Sequence, residues 1–233
     1  KVYALGCLTM TDAGPRMAQP GMPEIRIITI PADQATVIDT WTTTGVRGSG
    51  SHDVAVNNLF VPEERSFIFS AAAIKRAGPL YAAPSMFTLK GGAVPLGIAR
   101  CAIDDVLAIA HTKRNPASPA PIAAQPWFQT ALAIAETKLG QARAFYYEVI
   151  GEIWAKLVAG QKITPRDWAP LHLAAIGAMD RCLEVVDAMY RAVGSSALYT
   201  GATLDRRLRD IHTIAQHIIF NAGVLAEAAK RLL

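Results

Sequence analysis

From about residue 84 to the C-terminus the chain repeats one pattern: long stretches rich in Ala, Leu and Ile, with apolar residues at helical spacing. A helix with an apolar stripe must bury that stripe against another element. The spacing predicts helices over about 84–113 and 126–160, a third from Thr164-Pro165 to near Gly194, and a fourth from about Thr203 to Leu233. Thr164 is a good N-cap and Pro165 suits the first helical position. Pro95 is expected to bend or delay the first helix. The run from Asn115 to Pro121 separates the first two, because its prolines lack the N–H that a helix needs. Four long amphipathic helices with short connections imply an antiparallel, up-down four-helix bundle.

Residues 1–65 read differently. Glu24–Ile30 partly alternates and is rich in β-branched residues, with Pro31 at its end. Ala35–Trp41 is a second strand candidate. A third starts at Asp53 and runs, past a bulge or turn at Asn57-Asn58, through Leu59-Phe60-Val61 to Pro62. Gly14, Pro15, Pro20, Gly21 and Pro23 make residues 11–23 a loop. The chain therefore divides near residue 65, into a partial β domain over 1–65 and the helical bundle over 66–233. Three short strands cannot close a barrel or sandwich, so the expected fold class is mainly α with an incomplete β unit in front.

Composition limits the function classes. Of 233 residues, 52% are hydrophobic and 18% charged, which excludes a disordered tail or solvated linker. No run of 18 uncharged apolar residues is present, so no membrane helix is expected, and residues 1–6 do not read as a signal peptide. Cys7, Cys101 and Cys182 are widely spaced and odd in number, which fits a reducing, cytoplasmic compartment. The net charge of +4 is scattered; it favours anionic ligands slightly and gives no nucleic-acid surface.

Generic motifs are absent. There is no HExxH, Walker loop or EF-hand loop, Gly45–Gly50 has the wrong spacing for a dinucleotide fingerprint, and Ser49 lacks a nucleophile-elbow frame. The five histidines show no i, i+4 pairing with His or Cys, so no metal site is expected. The last helix carries more information. Arg206, Arg207 and Arg209 lie in its first two turns, the wrong sign for the helix dipole. They read either as i, i+4 partners, Asp205 with Arg209 and Arg206 with Asp210, or as an anion site. His212 and His217 project about 140° apart on one helix. Beside Ile214, Ile218 and Ile219, His217 reads either as a core histidine or as a tuned acid/base. Gly194-Ser195-Ser196 reads as a helix end and a connection.

Two long segments together resemble the acyl-CoA dehydrogenase superfamily. Trp41–Glu64, WTTTGVRGSGSHDVAVNNLFVPEE, is similar to the end of its β domain, and Ala192–Ile218, AVGSSALYTGATLDRRLRDIHTIAQHI, to its last connection and helix. The resemblance spans nearly the whole chain in order. It implies that the chain begins partway through the β domain, with the family's N-terminal helical domain and first β strands absent, and that flavin and substrate lie between β domain and bundle. Ordinary dehydrogenases of the family carry a catalytic Glu where this chain has Ile218, with a Tyr at His217. An Arg-Asp pair followed by histidines instead resembles the flavin-dependent monooxygenase branch, which uses reduced flavin from a separate flavin reductase to hydroxylate aromatic or sulfur compounds. The resemblance implies His217 as the catalytic residue. It implies Lys113, Arg114, Gly194, Ser195, Ser196 and Arg209 as binding residues for FMN or FAD, a small-molecule substrate, and a homo-oligomer, dimer or tetramer. Two alternatives are an acyl-CoA dehydrogenase-type flavoenzyme and a non-catalytic oligomerising module.

Overall fold

The computed structural model describes residues 1–68, 74–82, 90–115 and 118–233. They form two compact units: Lys1–Thr42 with Gly48–Pro84, and Thr43–Arg47 with Ser85–Leu233.

The first unit is built on a three-stranded antiparallel sheet. Its strands are β1 (Val2–Leu8), β2 (Ile25–Pro31) and β5 (Ser66–Ile68), with β2 in the centre. Tyr3 lies opposite Ile30, and Ile27 opposite Phe67. β3 (Thr36–Ile38) and β4 (Asp53–Ala55) pair separately. The predicted strand at 24–30 is present and includes Pro31 as its last residue. β1 was not foreseen, and short two-stranded ladders interrupt the predicted loop at 11–23. Two expectations need correction. Leu59–Val61 is not a strand: Asn58 sits at φ 48°, which turns the chain out of extended pairing. Ser66–Ile68 is a strand rather than helix, because Phe67 and Ile68 find the open edge of β2. Ile30 is the one buried apolar side chain of the unit among the described residues, while Val2, Ile25, Val37 and Phe60 stay exposed.

The second unit is helical: α1 (Ala93–Ala110), α2 (Pro126–Val158), α3 (Pro165–Ala192), α4 (Thr203–Ala215) and α5 (Ala222–Leu232). α1 starts late enough to put Pro95 in its first turn, where a missing N–H costs nothing. The part of the predicted first helix over 84–89 lies outside the described residues. Gly91 and Gly92 lead into α1 under tight packing. A Cβ on Gly92 would meet the Tyr146 ring at 2.3 Å, and one on Gly91 would meet Ile219 at 2.3 Å.

α3 begins where Thr164-Pro165 predicts. Thr164 and Asp167 make a capping box: Asp167 N–H donates to Thr164 Oγ1 at 3.3 Å, and Thr164 N–H donates to Asp167 Oδ2 at 2.7 Å. Every other helix of the unit packs on α3. Its buried residues, among them Ala169, Ala174, Ile176, Ala178, Met179 and Cys182, cover more than one face of the helix. Burial pushes the Cys182 thiol up to about 12, so it packs as an apolar group.

The single last helix expected over 203–233 is two helices. The break falls at His217–Asn221. His217 is extended, with ψ 139°, and its Nδ1 accepts the Ile219 N–H at 3.3 Å. Asn221 Oδ1 accepts the Val224 N–H at 3.1 Å and so caps α5. The continuous apolar spacing hid this pair of caps.

Asp167 also receives Lys156 Nζ at 2.5 Å. That ammonium, and then Thr164, hold its carboxyl down to about 2. A lowered value means that the pairing stabilises the fold above the ordinary carboxylate range, near pH 4, and is lost as pH falls towards about 2. Asp167→Asn is expected to flatten that part of the acid-unfolding curve followed by far-UV circular dichroism. An unchanged slope below pH 4 would contradict it.

Candidate functional site

Three structured places in the helical unit bear on chemistry, two at helix ends and one midway along α4. The first is where α1 stops. Lys113 N–H donates to Ile109 O at 2.8 Å, and Lys113 O accepts from Ile122 N–H at 2.8 Å, so its backbone is held on both sides. Its Nζ donates to Ser196 Oγ. Ser196 belongs to the 3-10 turn Gly194–Ala197 that follows α3. Gly194 leaves the helix at φ 57°, the left-handed conformation that glycine accepts freely. Val193 and Ala197 are buried and anchor the turn, while Ser195 is exposed. Among the described residues no carboxylate pairs with Lys113. A cation whose partner is a hydroxyl, beside a second exposed hydroxyl, fits an anionic oxygen such as a phosphate.

Arg114 does not join this corner through any bond seen here. Its Nε donates to Pro119 O at 2.9 Å, closing the small ladder of Arg114–Asn115 with Ser118–Pro121.

The second place is a clasp between α4 and the segment Thr43–Arg47 of the same unit. Arg209 NH1 donates to Thr44 O at 2.7 Å, and Arg209 NH2 to Asp205 Oδ2 at 2.7 Å. The Asp205 carboxylate raises the guanidinium above its ordinary range. Val46, at φ 51°, donates its N–H to Asp210 Oδ1 at 2.6 Å. Gly45 passes so close to the helix that a Cβ would lie 2.1 Å from Arg209 O. Asp205 and Arg209 thus form the predicted i, i+4 pair. The expected Arg206–Asp210 pair does not form, because the strong local donor for Asp210 is a backbone N–H. Arg207 pairs with Asp105 of α1 at 3.3 Å.

The third place is the turn between α4 and α5. The His217 imidazole is exposed, and its Nδ1 is occupied by the Ile219 N–H. In the neutral ring the proton is therefore on Nε2, which faces outward as a donor. His212 is elsewhere: its Nε2 meets Asp187 Oδ1 of α3 at 2.9 Å. Behind the turn is an apolar cleft of about 200 Å³ lined by Leu171, His172, Ala175, Ile218, Ile219 and Val224. His172, about two turns into α3, lies among its buried apolar residues, and that position was the available signal in the sequence.

Of the sequence-predicted residues, the structure brings Lys113 together with Ser196 and its neighbours Gly194 and Ser195. Arg209 is engaged in the clasp, Arg114 in its own ladder and His217 in the turn. Among the described residues no group of His, Cys, Asp and Glu could hold a metal ion, and no helix is long and apolar enough to cross a membrane.

Residues 89–222 match the family described as acyl-CoA dehydrogenase, C-terminal domain, and the chain belongs to that family. The chain is 30% identical over 214 residues to the indole-3-acetate monooxygenase of Pseudomonas putida, covering 86% of this chain and 53% of that protein. It is 27% identical over 210 residues to the indole-3-acetate monooxygenase of Acinetobacter baumannii, covering 89% of this chain and 53% of that protein. XiaF from Streptomyces sp., solved with FADH2 and glycerol, shares the fold, with a TM-score of 0.85 at 21% identity over 98% of this chain and 59% of that one. The chain spans about half the length of the relatives it matches.

The clasp makes a direct prediction. Asp210→Ala leaves the Val46 N–H without its carboxylate partner and is expected to cost about 1–3 kcal/mol. Gly45→Ala is expected to lower the melting temperature as well, because the new Cβ meets backbone rather than a flexible side chain. Thermal unfolding of both variants checks this; two wild-type melting curves would refute it.

Proposed function

We propose that this chain is the C-terminal part of a flavin-dependent monooxygenase that hydroxylates a small aromatic or sulfur-containing molecule. The observation that carries the choice of branch is Ile218. The superfamily resemblance puts the catalytic Glu of the dehydrogenases there, and an exposed isoleucine cannot remove a substrate proton. Similarity to two indole-3-acetate monooxygenases over most of the chain supports the same branch. In this reading residues 1–65, with β5 after them, close a middle β domain, and the helices of 66–233 form the bundle, with α4 and α5 together in the fourth place of an up-down arrangement.

Lys113, Ser196, Ser195 and Gly194 would hold a flavin phosphate, FMN or FAD. Bound in its reduced form, the flavin supplies the electrons for oxygen activation. A separate flavin reductase would deliver it. His217 would act through its outward Nε2–H, donating a hydrogen bond at the reacting oxygen. Arg209 would serve at one remove, by holding Thr43–Arg47 on α4, and Arg114 by closing the ladder next to Lys113.

The test is oxygen uptake by the whole protein with externally reduced flavin, against acyl-CoA-dependent bleaching of bound oxidised flavin. Uptake with hydroxylated product supports the proposal; bleaching without uptake overturns it. His217→Ala is expected to keep the melting temperature near wild type and to raise peroxide released per flavin oxidised. His212→Ala, on the α3-facing side, is expected to leave that ratio unchanged. A fully coupled His217→Ala enzyme would remove the catalytic role.

A homo-oligomer, dimer or tetramer, belongs to the same proposal. Trp127, Ile134 and Phe145 of α2 are 47%, 50% and 44% exposed. Their spacings of seven and eleven residues align them in one stripe. A second copy of the chain would cover it. Light scattering should show an oligomer that Ile134→Glu with Phe145→Glu dissociates. A wild-type monomer at micromolar concentration would exclude it.

A further inference from the structure

The cleft behind the His217 turn has a property that the proposed mechanism does not use. Leu171 and Ala175 are buried and Ile218 is exposed, so it runs from the edge of the core to solvent. Its lining is aliphatic except for His172. His172 Nδ1 lies 2.8 Å from Trp168 O, one helical turn back. A carbonyl can only accept, so Nδ1 carries the proton. In the neutral ring Nε2 is then an acceptor, and among the described residues it has no partner. The backbone of α3 has set the tautomer before any ligand arrives.

We propose that this cleft is a binding site for a small aromatic molecule bearing one N–H or O–H, with His172 Nε2 as the acceptor for that group. Size and chemistry both select the occupant. A cavity of about 150 Å³ lined by Leu, Ile and Phe holds benzene, so about 200 Å³ takes one or two fused rings. It is too small for an isoalloxazine with its side chain. Apolar walls favour an uncharged ring over a carboxylate or an ammonium. A single preset acceptor discriminates for a molecule that donates, because a ligand without the donor leaves Nε2 desolvated and unpaired. The site is lined by Ile218 and Ile219 of the turn that carries His217, so a ring held there is near the proposed hydrogen-bond donor. As the substrate subsite, the assignment rests on the monooxygenase reading; as a binding site it does not.

The test therefore uses binding without flavin or turnover. Indole and naphthalene are the probes, similar in size and differing in the N–H. Binding to the 233-residue chain is followed by NMR of the 15N-labelled histidines. Indole is expected to shift the His172 Nε2 resonance and to bind about tenfold more weakly to His172→Phe, a loss of about 1.4 kcal/mol. Naphthalene is expected to bind both forms equally. Ala175→Phe fills the cleft and is expected to abolish binding of both probes with the His172 tautomer intact. Should His172→Phe lower the melting temperature, Ala175→Phe and the wild-type Nε2 shift still decide. Indole binding undiminished by Ala175→Phe, or no Nε2 shift at saturating indole, overturns the site. Failure of flavin-dependent oxygen uptake with the indole result intact would overturn the monooxygenase reading and leave the binding site standing.

Discussion

A helix that is apolar on more than one face cannot lie on the surface, and α3 is such a helix. α1, α2, α4 and α5 all pack against it. Ala169, Ala174, Ala175 and Ala178 let neighbours approach closely, and Met179, Val185, Val186 and Met189 fill the space that remains. No polar or charged side chain is buried among the described residues. Shape and burial therefore carry the stability of the interior, each fully buried side chain of Leu or Met size contributing roughly 1.5–3 kcal/mol. The capping box at Thr164 determines where α3 begins and so where that packing surface starts.

Because the buried side chains are almost all apolar, the polar work is done at the margins of the core. Arg207 ties α4 to Asp105 of α1, and Arg209 with Asp210 ties α4 to Thr44 and Val46. These bonds engage Arg207 and Arg209, two of the three arginines that made the start of α4 look like an anion site. Lys113 differs: its partner is a hydroxyl, so its charge is still available to an incoming anion.

The break between α4 and α5 is the second consequence of packing on α3. Two short helices and a turn press Ile219 against Gly91 and leave His217 outside. A straight helix through Leu233 would have placed His217 and Ile218 on a continuous surface without a cleft. The turn instead helps to form a concave apolar cleft backed by α3, with the His172 imidazole in its wall and Ile218 and Ile219 of the turn on its other side.

Much of this was legible in the residues. The strand at 25–31, the helices α1 to α3, the Thr164-Pro165 start and the superfamily resemblance all rest on local periodicity, local caps or ordered motifs, which a sequence records directly. The break at His217 was legible in principle, through Asn221 as a cap, but the apolar run Ile218-Ile219-Phe220 spoke for continuity. Lys113 with Ser196, 83 residues apart, and Val46 with Asp210, 164 apart, were not pairings that spacing could reveal. Nor was the choice of Asp210 between an arginine one turn away and a distant backbone N–H. Sequence by itself determined which stretches become helix or strand, because those preferences act within a turn or two. Tertiary structure decided which charges are engaged and which remain free, because that depends on which groups the packed helices bring within about 3 Å of one another.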